Sequence, residues 1–193
     1  MDEVAYWFAP EFLQVAVLRE AQVLFAKNDP PSLHLKDMMH ADRIKEIEKE
    51  VQQCRWKEHV KFDQYHYKTA VLTPTLKKFC ASPAVKKIMQ VITKYKVKKF
   101  DVKLYAFGAG DYILLQDKAP KKKGIRFELD FTEGWNSAWG GYTSFVGREE
   151  QLRVLPAQNT CTLVRAEGLQ SAIKYVQYHA RDKKRVVVRG EIR

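Results

Sequence analysis

Hydrophobic residues recur at helical spacing in the first half of the chain. Phe12, Val15, Leu18, Val23 and Phe25 follow one another at intervals close to multiples of the helical repeat. Such spacing is typical of a helix that buries one apolar face. The region from Pro10 to about Tyr95 is therefore predicted to be mainly helical.

Two further helices are predicted within this region. Ile44, Ile47 and Val51 repeat the helical spacing among Lys and Glu residues. Ser82 followed by Pro83 marks another helix start, because serine caps the first turn and proline is tolerated there. The apolar residues of this last helix are Val85, Ile88, Met89 and Ile92.

After Lys96 the pattern changes to short apolar runs bounded by turn residues. These runs predict about eight short strands. Short strands that follow a helical region indicate an α+β fold, in which helices buttress a jelly roll or barrel. No linker or repeat divides the sequence, so residues 1–193 are expected to form a single domain, with 1–95 as mainly helical support and 96–193 as the barrel core. The predicted strands are Phe100–Phe107, Tyr112–Leu115, Ile125–Phe131, Gly141–Val146, Leu152–Leu155, Thr160–Arg165, Ile173–Val176 and Arg185–Ile192.

Composition restricts the class of protein. Hydrophobic residues make up 46% of the 193 residues and aromatic residues 12%, which is typical of a globular protein. Apolar runs such as residues 186–188 are too short to span a bilayer, and the acidic start of the chain lacks the layout of a signal peptide. Cys54, Cys80 and Cys161 are widely spaced, so reduced thiols and a cytoplasmic location without membrane association are expected.

Positive charge is concentrated in one part of the chain. The formal net charge is +11, and the stretch from Lys86 to Lys123 holds eleven lysines, three aspartates and no arginine, a local charge of +8. A basic patch of this kind predicts RNA or a ribonucleoprotein as partner, whereas a solvated lysine face that maintains solubility is an equally good interpretation. The lysines proposed for phosphate contact are Lys94, Lys96, Lys98, Lys99, Lys121, Lys122 and Lys123.

The strand half resembles a known enzyme family in the order of several short motifs. The stretch from Gly110 to Lys118, the run from Phe127 to Phe131, and the later Trp135, Gly140, Gly141, Pro156, Asn159, Arg185 and Gly190 follow the family's order and spacing. The family is that of the prolyl-hydroxylase-like 2-oxoglutarate/Fe(II) oxygenases, especially the branch that hydroxylates a ribosomal protein. This resemblance implies a double-stranded β-helix, of jelly-roll or cupin-like form, as the barrel core.

The same resemblance implies that the iron site is degenerate. It places Gln116, Lys118 and about Ser171 at the positions of the family's His-x-Asp...His triad. Non-haem iron requires two imidazoles and one carboxylate, and none of these three side chains is a competent ligand. After His66 the sequence contains only His179, so no shift of register supplies two barrel histidines. No metal and no cofactor are therefore expected.

The resemblance implies that the cosubstrate-binding site is altered as well. The resemblance assigns Arg185 to the family's arginine that binds the distal carboxylate of 2-oxoglutarate, and places Asp130 where the family has a tyrosine. Strand alternation puts Arg126, Glu128 and Asp130 on one face, opposite Phe127, Leu129 and Phe131. If that charged face points into the barrel together with Arg185 and Arg189, internal salt bridges are expected, with Asp130 or Glu128 paired to Arg185. An exposed edge strand with solvated charges is the alternative.

Three functions compete on these grounds. The first is a catalytically inactive binding or scaffold module, attached to a protein, RNA or a ribonucleoprotein. The second is an active 2-oxoglutarate-dependent prolyl-hydroxylase-like dioxygenase that holds Fe(II) in a non-standard site formed by Glu128, Asp130 and His179. The third is an RNA-binding module whose barrel is incidental. The missing triad favours the first over the second.

Overall fold

Helices form one layer of the molecule, in a computed structural model that describes residues 3–115, 124–147, 150–165 and 167–193. Within these residues the helices are α1 (Glu3–Trp7), α2 (Val15–Lys27), α3 (Ala41–Gln52), α4 (Pro74–Ala81) and α5 (Pro83–Thr93), with 3-10 turns at Pro10–Leu13, Ser137–Trp139 and Tyr178–Ala180. The predicted start of α5 is confirmed, since the Val85 N–H donates to the Ser82 hydroxyl at 3.2 Å. The Gln22 side chain joins α2 to α5 by donating to the Val91 carbonyl at 2.6 Å.

Antiparallel strands form the second layer, a curled sheet. The strands are β1 (Ser32–Lys36), β2 (Lys57–Lys61), β3 (Tyr65–Ala70), β4 (Phe100–Phe107), β5 (Tyr112–Ile113), β6 (Ile125–Asp130), β7 (Thr143–Val146), β8 (Glu150–Val154), β9 (Thr160–Arg165), β10 (Gln170–Ile173) and β11 (Arg185–Ile192). The order across the sheet is β1-β9-β6-β11-β4-β3-β5-β10-β7-β8, and β2 pairs with β3. The α+β jelly-roll prediction is thereby confirmed.

The main hydrophobic core lies between the helices and one face of the sheet. Phe127 and Leu129 of β6 are fully buried there against helical residues such as Phe79 and Met89. Their neighbours Glu128 and Asp130 alternate to the concave face, as expected from the strand period of two. The helices therefore brace the outside of the barrel, and its interior holds these two carboxylates beside a second apolar cluster that includes Phe107, Ile173 and Val187.

Two parts of the strand prediction were wrong. Strands β1, β2 and β3 lie in the region read as helical, so the sheet is not confined to residues 96–193. The strand expected at 173–176 ends at Ile173 instead, and Val176 follows in an irregular segment that is nonetheless buried. Both errors have the same cause, which is a sequence pattern that is too short. Five or six alternating residues, or two buried apolar residues, do not distinguish a strand from a helix or an irregular segment.

Two of the glycines that follow the family's spacing occupy positions where a larger residue would clash with a neighbouring backbone. A β-carbon on Gly140, whose φ is +73°, would lie 2.2 Å from the Tyr175 carbonyl oxygen. A β-carbon on Gly190 would lie 2.2 Å from the Asp101 carbonyl oxygen on the neighbouring strand. Only glycine permits these close approaches of one backbone to another.

In the part of the chain that the structure describes, no helix has the length and apolar content that a membrane crossing requires.

Candidate functional site

The centre of the barrel holds a buried arginine. Arg185 opens β11 and is 0% exposed, although a guanidinium is charged under all ordinary conditions. Burial alone would lower the pKa of this guanidinium, but Asp130 and Glu128 hold the pKa above its ordinary value. The side chain therefore stays ionised inside the protein, which requires acceptors for its N–H groups.

Four acceptors surround the Arg185 guanidinium. Its Nε donates to Asp130 Oδ2 at 2.8 Å and its Nη2 to Glu128 Oε2 at 3.0 Å. Its Nη1 donates to the Gly141 carbonyl at 2.9 Å and to the Thr143 hydroxyl at 2.8 Å. Four of the five guanidinium N–H groups thus have partners in the protein, and the ion pair predicted from strand alternation is present.

These bonds connect opposite walls of the barrel. Glu128 and Asp130 lie on β6, next to β11, whereas Gly141 and Thr143 come from the segment that forms β7 across the barrel. The Thr143 hydroxyl also donates to Glu128 Oε2 at 2.8 Å. We call Arg185, Asp130, Glu128 and Thr143 the central cluster; it ties the two halves of the curled sheet together.

The two carboxylates of the central cluster have different electrostatic surroundings. Burial alone would raise the pKa of Glu128, but Arg189 and Arg185 together hold it below its usual value. Burial raises the pKa of Asp130, because the single guanidinium of Arg185 and the Thr132 N–H do not fully compensate it. Glu128 is accordingly the more firmly ionised of the two.

A cavity of about 410 Å³ opens beside the central cluster at the barrel mouth. Its floor includes Arg189, whose Nε lies 3.1 Å from Glu128 Oε1 and whose Nη2 donates to Ser171 Oγ at 3.4 Å. Its wall carries three tyrosines from β3 and β4, with ring centroids 5.1 Å apart for Tyr65 and Tyr67 and 5.4 Å apart for Tyr67 and Tyr105. We call this space the mouth cavity.

The structure brings together most, but not all, of the predicted site residues. Ser171 and Arg126 line the mouth cavity. Arg126 was expected to face Glu128 and Asp130, but its guanidinium lies 3.1 Å from Glu191 instead, because Glu191 is its direct cross-strand neighbour. Gln116 and Lys118 lie outside the described residues.

The non-standard metal site is not formed. His179 is exposed in a 3-10 turn, and Glu128 and Asp130 are bonded to arginines. Among residues 3–115, 124–147, 150–165 and 167–193, no three His, Cys, Asp or Glu side chains are grouped so that they could hold a metal ion.

The side chains at this site do not fit an iron ion with bound oxoglutarate. An anionic cosubstrate needs a free cationic partner, and Arg185 already serves two carboxylates of the protein. The neighbouring Ser171 is a poor iron ligand, and Arg189 beside it is a cation.

Sequence analysis missed two groups of residues. Thr143 and Gly141 reach the central cluster from across the barrel, and no local pattern encodes that contact. Tyr65 and Tyr67 have a detectable signal, since tyrosines at spacing two flank His66 in a run that strand propensity favours.

Comparison with known proteins agrees with this architecture. A family model described as "Oxoglutarate and iron-dependent oxygenase degradation C-term" matches residues 57–192. A prolyl-4-hydroxylase from Pseudomonas putida is similar with a TM-score of 0.70 and 12% identity, covering 92% of this chain and 98% of that chain. No curated protein sequence matches this chain significantly.

Two further solved structures share the fold. A prolyl hydroxylase from Trichoplax adhaerens, in complex with a peptide fragment of the hypoxia inducible factor oxygen degradation domain, has a TM-score of 0.69 and 10% identity over 93% of both chains. A 2OG-Fe(II) oxygenase family oxidoreductase from Burkholderia pseudomallei has a TM-score of 0.69 and 8% identity over 90% of this chain and 89% of that one. Because the matched family region spans well over half of the sequence, the chain belongs to the "Oxoglutarate and iron-dependent oxygenase degradation C-term" family, on a prolyl-hydroxylase-like fold.

Proposed function

We propose that this chain is a non-catalytic binding module built on the oxygenase fold. The observation that carries the proposal is the fully buried Arg185, which already donates to Asp130, Glu128, Gly141 and Thr143. A dicarboxylate entering this site would have to displace the carboxylates of the protein or be buried next to them. Either event leaves an uncompensated charge away from water, which costs several kcal/mol, roughly.

The mouth cavity is the surface that this proposal assigns to a protein partner. Tyr65, Tyr67 and Tyr105 offer large contact area with few rotatable bonds, and aromatic side chains of this kind dominate the energetics of protein interfaces. Arg189 adds a partly buried guanidinium at the floor. The Trichoplax adhaerens relative holds a peptide fragment, and we propose that this chain likewise receives an extended protein segment.

The first prediction concerns iron and cosubstrate. Purified protein incubated with Fe(II) and 2-oxoglutarate is expected to retain no stoichiometric iron, to form no succinate and to show no shift in melting temperature, because Arg185 is already paired with two carboxylates of the protein. Metal analysis, a succinate assay and a thermal melt measure these three quantities. Stoichiometric iron together with succinate formation would establish the dioxygenase alternative instead.

A second candidate partner, RNA, is favoured by the placement of the basic patch. Lys94, Lys96, Lys98 and Lys99 are exposed in the segment between α5 and β4. Lys121, Lys122 and Lys123 lie outside the described residues. Cationic side chains in one exposed segment are suited to phosphate contacts, although they are equally suited to maintaining solubility.

The second prediction separates these two roles of the patch. If the lysines contact phosphates, the affinity for single-stranded RNA should fall steeply as salt is raised, by about 300-fold or more between 50 and 200 mM for six or more contacts. Replacing Lys94, Lys96, Lys98 and Lys99 with glutamine should flatten that dependence, whereas the same change at Lys77 on α4 should not. No binding at low salt, or binding that salt leaves unchanged, would make the patch a solubility feature.

We further propose a reducing compartment such as the cytoplasm for this function. Cys54, Cys80 and Cys161 are free thiols. Burial raises the pKa of Cys80 to about 12, and burial also raises the pKa of Cys161. Such thiols are unreactive, which suits structural cysteines that remain reduced.

A further inference from the structure

A second cavity, of about 170 Å³, lies on the opposite face of the sheet from the mouth cavity. Its residues from β3 are His66 and Lys68, which alternate with Tyr65 and Tyr67 of the mouth cavity. The remaining wall consists of the end of β4 with its following turn, and of the loop before β11. Those lining residues are Ala106, Gly108, Ala109, Asp111, Arg181 and Lys184.

Cationic side chains converge on this small cavity. Lys184 crosses the β4–β5 turn, with its Cγ 3.6 Å from the place that a β-carbon on Gly108 would occupy. Lys68 lies opposite Ala106 on the neighbouring strand, and its Nζ lies 3.7 Å from Glu58 Oε1. Among the residues that the structure describes, no carboxylate pairs with Arg181 or Lys184. Two exposed positive charges are therefore left without an acid partner among the described residues.

The one carboxylate in the cavity is already engaged. Asp111 is 3% exposed, and its Oδ2 accepts from the Gly108 N–H at 2.7 Å while its Oδ1 lies 3.1 Å from His66 Nδ1. The other ring nitrogen of His66 lies 3.1 Å from Glu58 Oε1. Both oxygens of Asp111 are thus in contact with groups of the protein other than Arg181 and Lys184.

The backbone of Arg181 points to the same conclusion. Its φ of 52° and ψ of −116° fall in a region that side chains with a β-carbon rarely adopt. Holding such a residue there costs on the order of 1–3 kcal/mol, and glycine would avoid most of that cost. Arg181 is exposed, and no acid among the described residues offsets this cost, which favours a ligand as its partner.

We propose that this cavity, hereafter the anion cavity, binds a phosphate monoester group through Arg181, Lys184 and Lys68. A monoester carries about −1.5 to −2 charges at pH 7, which matches the two unpaired cations. A phosphodiester carries one negative charge, which matches the two cations less well than the charge of a monoester. The guanidinium fork supplies directional bonds and the ammonium groups supply charge.

The test uses the full chain and calorimetric titration at low ionic strength. The probes are inorganic phosphate, a phosphoserine peptide, the same peptide without phosphate, and a short single-stranded RNA. Inorganic phosphate and the phosphopeptide should bind, and the unphosphorylated peptide should not. Tighter binding of the phosphopeptide would identify a modified protein as the source of the group, and equal binding would identify a small phosphorylated molecule.

Arg181→Gly should change phosphate affinity and thermal stability in different directions. It should weaken phosphate binding at least about tenfold, the loss of one charge-assisted bond, while the melting temperature stays the same or rises. Lys184→Gln should weaken binding to a similar extent without altering the backbone. Lys77→Gln on α4 removes the same charge elsewhere and should leave binding unchanged.

Three results would overturn the anion cavity. These are no phosphate binding by the unmodified protein, binding that survives both Arg181→Gly and Lys184→Gln, and RNA binding that depends on Arg181 as strongly as phosphopeptide binding does. Because the anion cavity and the central cluster lie on opposite faces of the sheet, iron or succinate in the earlier assay would refute the proposed function without affecting this site.

Discussion

Asp130→Ala is expected to lower the free energy of unfolding by about 3–5 kcal/mol, because it leaves the buried Arg185 guanidinium without its Nε partner. The loss arises from the charge that remains rather than from the packing that is removed. Urea denaturation of the variant and the unmodified protein measures it. Asp101→Ala serves as the matched control, since Asp101 pairs with Arg193 at the surface and its removal should leave stability nearly unchanged.

A double variant tests whether charge is the cause. Asp130→Leu combined with Arg185→Met removes one charge of each sign and leaves Glu128 paired with Arg189 at 3.1 Å. Replacement of a buried ion pair by apolar groups of similar volume is often neutral, so the double variant should be clearly more stable than Asp130→Ala. Formate offers an independent check, because it can occupy the vacated carboxylate position and should raise the melting temperature of Asp130→Ala alone. An Asp130→Ala protein as stable as the unmodified chain would refute the structural role of the pair.

Strands with long, regular alternation were predictable from sequence. The bounds of β4, β9 and β11 agree with the predicted ones at both ends. Each of these strands is six or eight residues long and is bounded by turns, so the period of two is sampled several times. β1 presents only Ser32–Lys36 and pairs on one side with β9, which makes its pattern too short to separate from the helices around it.

The same limit divides the central cluster. The family resemblance singled out Arg185 and Asp130, and strand alternation added Glu128 on the same face as Asp130. Thr143 and Gly141 were not identified, because their contact with Arg185 spans more than forty positions and depends on how the sheet curls. The alternation of residues along a strand determines which face of the sheet a side chain occupies. The curvature of the sheet determines which residues of distant strands it contacts.

Arg185→Leu should be strongly destabilising at neutral pH and much less so in acid. The substitution leaves Asp130 and Glu128 buried with less positive charge nearby, although Glu128 keeps Arg189. Burial already raises the pKa of Asp130 in the unmodified protein, and loss of the guanidinium removes the attraction that opposes this rise. The folded-state pKa of Asp130 in the variant should therefore be higher still.

The direction of the pH dependence follows from that shift. A carboxyl group whose pKa is raised by folding binds more protons in the folded state than in the unfolded one, so stability is lost as pH rises through the folded-state pKa. Relative to the unmodified protein, Arg185→Leu should thus lose about 3–5 kcal/mol near pH 7 and progressively less as the pH falls toward about 4, the ordinary pKa of aspartate. Urea denaturation at a series of pH values measures the difference directly. Arg193→Leu, which removes a surface guanidinium paired with Asp101 and Glu191, should show little change at any pH. A deficit of Arg185→Leu that stays constant from pH 7 to pH 4 would mean that lost packing, and not stranded carboxylates, accounts for the instability.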